Sequence, residues 1–194
     1  MKIDKIIEDS LSSSRKTLEE TLSQHEFASS IKLASEKIID TYKKRGKVLL
    51  AGNGGSAADC QHICAELVGR LNFDREPLSA IALTTNSSNL TCIGNDYGYE
   101  EIFVRQMHAV AQENDTLLVY STSGTSKNIL KLIKEAKGKV QNIISLCGQH
   151  TDELSKYSDV VISVKSDKTT RIQEIHALAG HIICECIEEE LFGK

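Results

Sequence analysis

The chain has 194 residues, 40% of them hydrophobic and 26% charged, with a formal net charge of -4. This is the composition of one globular domain with a core of its own, and it excludes a disordered chain. The acidic balance leaves no basic footprint for nucleic acid, and the apolar runs are too short to span a bilayer, so neither partner is expected.

Ile3, Ile7, Leu11, Leu18 and Leu22 recur among charged residues and predict an amphipathic helix over 3–22. A second helix is predicted over 27–44, with Ile31, Leu33, Ala34, Ile38 and Ile39 facing inward. The pattern then changes. Lys47 to Ala51 is a short apolar run closed by Gly52-Asn53-Gly54-Gly55, which reads as a buried strand ending in a tight turn. Comparable runs predict strands at 79–83, 116–120, 142–146 and 160–164. Helical stretches at 56–68, 89–112, 127–137 and 171–191 separate most of them. Strands alternating with helices imply βαβ units. The expected fold is α/β: a three-layer sandwich with a five-stranded parallel sheet flanked by helices, preceded by the two N-terminal helices. Pro77 is the only proline and no linker interrupts the chain, so residues 1–194 read as a single domain. The six cysteines form no CxxC motif, and the charged start MKIDKIIEDS is unlike a signal peptide. Free thiols and a cytoplasmic location are expected.

In open α/β sheets ligands bind beyond the carboxyl ends of the strands. Two turns there stand out. Gly52-Asn53-Gly54-Gly55-Ser56 opens a helix, where glycines allow close backbone approach and free N–H groups favour an anion. Ser121-Thr122-Ser123-Gly124-Thr125-Ser126 again lies between a strand and a helix and gathers hydroxyls that can donate to phosphate oxygens. Ser and Thr also serve as ordinary helix N-caps, but two such turns in one domain point to a phosphorylated ligand. Neither GxGxxG nor GxxxxGK[ST] occurs, so both nucleotide fingerprints fail.

After the first turn, His62 and Glu66 stand one helical turn apart, with Asp59 on the same face and able to orient His62. Cys60, Cys64 and Leu67 fall on the other side and read as core. The His–Glu pair suits metal ligation or proton transfer; the plainer alternative is a solvated helix face. On the last helix, Gln173 and His181 are two turns apart, roughly 12 Å along the axis. They serve either different atoms of one ligand or sites completed by different subunits. His176 points elsewhere and reads as structural, and Gly180 implies close packing against another element. Asn95 and Asp96 offer an amide and a carboxylate that can read sugar hydroxyls, or else form a turn.

Taken in order, Gly52-Asn53-Gly54-Gly55-Ser56, the His62 and Glu66 pair, Gly94-Asn95-Asp96, Ser121-Thr122-Ser123-Gly124 and Arg171-Ile172-Gln173-Glu174-Ile175-His176 resemble the phosphoheptose isomerases of the sugar isomerase (SIS) domain family. The resemblance spans essentially the whole chain. It implies the SIS fold, a homotetramer with sites at subunit interfaces and N-terminal helices used in packing. It also implies conversion of sedoheptulose 7-phosphate to D-glycero-D-manno-heptose 7-phosphate, the first step of heptose synthesis for lipopolysaccharide or capsule. By the same resemblance Glu66 and His181 are the acid/base pair. Asn53, Gly54, Gly55, Ser56, Glu66, Asn95, Asp96, Ser121, Thr122, Ser123, Ser126 and Gln173 contact substrate. His62, Glu66, Gln173 and His181 match positions that can bind zinc. One departure is Thr170, where some members carry an aspartate that touches substrate hydroxyls. The same fold also serves a non-enzymatic protein that binds the bacterial replication initiator. Those relatives tend to lose the residues matching Glu66 and His181, and both are present here. Sugar-phosphate-sensing regulators usually add a DNA-binding module, for which this chain has neither spare length nor basic charge.

Overall fold

The computed structural model describes residues 1–193. Two helices come first, α1 (Lys2–Leu22) and α2 (His25–Lys43). Then follow β1 (Val48–Gly52), α3 (Gly55–Val68), β2 (Ala80–Ala82), α4 (Ser87–Tyr97), α5 (Val104–Val110), β3 (Thr116–Ser121) and α6 (Lys127–Ala136). The chain continues with β4 (Asn142–Cys147), α7 (Asp152–Ser155), β5 (Val160–Ser163) and α8 (Thr169–Phe192).

The five strands are all parallel, in the order β2-β1-β3-β4-β5. Alternate residues feed opposite faces of the sheet, and both faces are covered, which is why the strands read as unbroken apolar runs. Val48, Leu50, Leu118 and Tyr120 pack with α2, α3 and α8. Leu49, Ala51, Leu117 and Val119 pack with α5 and α6 on the other side. The three-layer expectation holds.

Two expectations need correction. The helix foreseen over 89–112 is broken: Gly98 takes φ 95° and ψ 158°, a backbone that a side chain resists. A 3₁₀ turn over Tyr99–Glu101 follows it before α5 begins. Leu33 does not face inward; it is 43% exposed, because α2 turns Phe27, Ile31, Ala34 and Ile38 to the sheet and leaves Leu33 on the opposite side. The short α7 was not foreseen at all. Most of α1 lies outside the core: Ile3, Ile7 and Leu11 are more than half exposed, and only Thr17 and Thr21 are buried.

Gly180 fulfils its expectation. A Cβ there would come within 2.7 Å of Ile63 Cδ1 on α3 and 3.0 Å of the Tyr120 hydroxyl on β3. The missing side chain lets α8 lie directly on α3. Beneath it His176 is fully buried, edge-on to Tyr120 at 5.7 Å between ring centroids. Neither imidazole nitrogen has a hydrogen-bond partner. Burial lowers the His176 pKa to about 4, and the nearby Cys147 backbone offsets only part of that effect. The fold therefore accepts the neutral ring, while the unfolded chain binds a proton near the ordinary value of 6.5. Stability must fall as pH drops from 6.5 toward 4, by about 3 kcal/mol in all. Urea unfolding at about pH 7 and about pH 5 should show about 2 kcal/mol of this loss, and His176→Phe should flatten it.

Candidate active site

Between β1 and β3 the chain order reverses: β2 lies to one side of β1, and β3, β4 and β5 follow on the other. Such a switch point opens a crevice beyond the strand ends. Here the register pairs Gly52 with Tyr120, so the two anion-suited turns leave the sheet side by side. Gly54 takes φ 56° at the first turn. In the second, Gly124 has φ 68°, and a Cβ there would strike the His150 carbonyl oxygen at 2.2 Å. Only glycine permits that course.

The turns are fastened together. Asn53 Nδ2 donates to Asn128 Oδ1, and Asn128 Nδ2 donates back to Asn53 Oδ1, each at 2.8 Å. The Tyr99 hydroxyl also donates to Asn53 Oδ1, at 3.0 Å. Asn53 thus ties the turns together through its Oδ1 and one of its two Nδ2 hydrogens. In the second turn Ser121 Oγ donates to Ser126 Oγ at 3.4 Å, and Ser123 Oγ accepts from the Thr125 amide at 3.2 Å. Thr122 turns its carbonyl to the Gly148 amide. Ser56 is buried at the start of α3, whereas Ser123 is exposed. The α6 helix starts at Lys127, directly after this turn, and its Ile129 amide is held by the Ser126 carbonyl and Asn128 Oδ1, both at 3.0 Å.

Farther along, α3 and α8 run side by side. Gln173 lies on the Gly55 turn, where a Cβ would meet its Nε2 at 2.3 Å. Gly180 lies on Ile63, and His181 reaches His62, Nε2 to Nε2, at 3.3 Å. His62 Nε2 is also 3.0 Å from Glu66 Oε1. Ligand atoms of His62, Glu66 and His181 all lie within 4.8 Å of one another. Two imidazole nitrogens and a carboxylate oxygen converging on one point are the donor set of a divalent transition metal, and one ion would satisfy all three lone pairs at once. The residues fit such a group.

The remaining predicted residues are less closely joined. Within one chain Gln173 and His181 lie eight residues apart on the unbroken helix α8, roughly 12 Å along its axis. Asn95 and Asp96 are exposed on the last turn of α4, Asn95 Nδ2 donating to Asp96 Oδ1 at 2.8 Å. Among the described residues they make no hydrogen bond to the His–Glu cluster. Asp59 does not orient His62: its Oδ2 is buried without a partner, and burial pushes its carboxyl up while His62 pulls it down. Cys60 and Leu67 are core as expected, and Cys64 is half-buried. All six cysteines are free. Asn128 and Tyr99 were missed. Asn128 is the second residue of α6, two past its N-cap Ser126, where a polar residue is unremarkable, and Tyr99 falls inside the unbroken helix that the periodicity predicts.

The SIS domain family model matches residues 11–148, and the chain belongs to that family. Within it the similarity is to phosphoheptose isomerases. It is 44% identical over 188 residues to the phosphoheptose isomerase of Burkholderia pseudomallei strain K96243, covering 97% of this chain and 95% of the relative. The Helicobacter pylori strain 26695 enzyme is 44% identical over 192 residues, 99% of each chain. The solved phosphoheptose isomerase of Francisella tularensis superposes with a TM-score of 0.91 at 35% identity, covering 97% of this chain and 99% of that one.

The reciprocal amide pair yields a prediction. Asn128→Ala removes both bonds and frees the two turns to separate. Inorganic phosphate should then bind about tenfold more weakly by calorimetry, the equivalent of roughly one net hydrogen bond.

Proposed function

We propose that the chain isomerises sedoheptulose 7-phosphate to D-glycero-D-manno-heptose 7-phosphate. The observation that carries this reading is the His62, Glu66 and His181 cluster standing along α3 from two turns suited to phosphate. Moving a carbonyl from C2 to C1 requires one proton to pass from C1 to C2 and another between the two oxygens. Glu66 takes the C1 proton, leaving a cis-enediol, and returns it to C2. His181 moves the hydroxyl proton from O1 to O2. Asn53, Gly54, Gly55 and Ser56 contact the sugar on one side, and Asn53 also fixes their turn. Ser121, Thr122, Ser123 and Ser126 hold the phosphate, and Asn95, Asp96 and Gln173 read hydroxyls.

His62, Glu66 and His181 would hold zinc, with Gln173 as the further donor where a neighbouring subunit brings it within reach. Bound zinc would supply Lewis-acid polarisation of the sugar carbonyl. The assembly in this reading is a homotetramer. The exposed Ile3, Ile7 and Leu11 on α1 support it, as does an apolar groove of about 900 Å³ lined by Phe27, Ile31, Ile39 and Ile182. Among the described residues no helix is long and apolar enough to cross a membrane. The enzyme would act in the cytoplasm at the head of heptose synthesis for lipopolysaccharide or capsule. Binding of a replication initiator is the second reading, and the retained Glu66 and His181 weigh against it.

Turnover of sedoheptulose 7-phosphate, followed by NMR, should fall at least about 100-fold in Glu66→Gln, with substrate affinity within about threefold of the parent. Near-normal turnover would sink the assignment of Glu66, and no turnover in the parent would sink the reaction. Light scattering should report four chains, and Ile7→Glu with Leu11→Glu should lower that mass.

A further inference from the structure

One buried ion pair lies outside the site yet grips both helices that build it. Arg75 follows α3 in the loop toward β2, and Glu188 lies near the end of α8. Their side chains are 2% and 1% exposed, with Nε to Oε1 at 3.0 Å. The rest of the guanidinium binds main-chain carbonyls, three at the end of α3 and that of Glu76 beside it. Nη2 donates to the Glu66 carbonyl at 2.7 Å, and Nη1 to the Leu67 carbonyl at 2.9 Å and the Gly69 carbonyl at 3.3 Å. A helix end leaves its last carbonyls without helical partners, and a cation there also suits the helix dipole; the Leu67 carbonyl accepts from the Leu78 amide as well, at 3.1 Å. On the other side Glu188 accepts from the Leu71 amide at 3.0 Å and the Asn72 amide at 2.7 Å.

The positions matter more than the count. Arg75 holds the main chain of Glu66 itself. Glu188 sits seven residues beyond His181, two turns on and so on nearly the same face of α8, roughly 10.5 Å along the axis. Apolar contacts would hold α3 against α8 but let one slide along the other. A buried ion pair adds little net stability over apolar packing, whereas its directional bonds fix one register.

Resting on the isomerase reading above, we propose that Arg75 and Glu188 form a positioning clamp that sets the spacing of Glu66 and His181. Displacement of a reacting group by about 1 Å can cost on the order of 100-fold in rate. Supporting residues behind metal ligands typically matter by about 10- to 100-fold in affinity.

The test compares the parent chain with Arg75→Lys and Glu188→Gln. Lysine keeps a charge for Glu188 but cannot also reach the α3 carbonyls; glutamine keeps the shape but turns a donor toward amide donors. Four quantities are read on folded protein: kcat and KM for sedoheptulose 7-phosphate, zinc Kd by calorimetry, and Tm. In Arg75→Lys, kcat should fall and zinc Kd rise, each by about 10- to 100-fold, with KM within about twofold. A merely structural pair would lower Tm and leave kcat and zinc Kd of the folded protein unchanged, and that result overturns the clamp. If Glu188→Gln does not fold, Arg75→Lys decides. A parent chain that neither turns over the ketose nor binds zinc overturns the active-site reading and the clamp with it; an active parent with an unaltered Arg75→Lys overturns the clamp alone.

Discussion

The parallel pairing of β1 with β3 is the constraint on which the rest depends. It sets Gly52 beside Tyr120, and so makes two chain segments some 70 residues apart leave the sheet at the same height. Parallel neighbours need a crossover between them, and here the crossover carries α3, β2, α4 and α5. The crevice at the switch point follows from this order of strands. The glycines at 54 and 124 then decide only how closely the backbone approaches what enters it.

The second layer of organisation is the side-by-side course of α3 and α8. Tyr120 underlies it, Gly180 permits it, and His176 fills the space below. Three contacts mark the alignment along its length: Gln173 on Gly55, His181 on His62, and Glu188 on the loop just past α3. The recognition turns thus belong to the sheet, while the titratable cluster belongs to a helix pair. The two are joined where the first turn runs into α3 and Gln173 of α8 packs on Gly55.

Much of this was legible in the chain itself. Strands buried on both faces announce themselves as apolar runs, and a glycine turn before a helix marks where each run ends. The His62 and Glu66 pair could be read from spacing because a helix brings i and i+4 together. What could not be read are partnerships between distant segments. Asn53 and Asn128 are 75 positions apart, and nothing local in either marks the bond. Arg75 and Glu188 are 113 positions apart and look like any surface charges. Asp59 misled because helical spacing gives a direction and not a depth; its carboxylate turns inward, and Glu66 takes the place beside His62. The break at Gly98 was hidden because apolar periodicity resumes after it.

The mutual amide pair of Asn53 and Asn128 has a consequence of its own. Each side chain is donor and acceptor to the other, and neither carries an ionisable proton. The fastening between the two turns is therefore electrically silent. It neither repels an incoming dianion nor competes for it as a lysine would. It also keeps the same strength across the whole range in which imidazoles and carboxylates change charge. Acidity can alter the reactive end of the crevice while the shape of its recognition end stays constant.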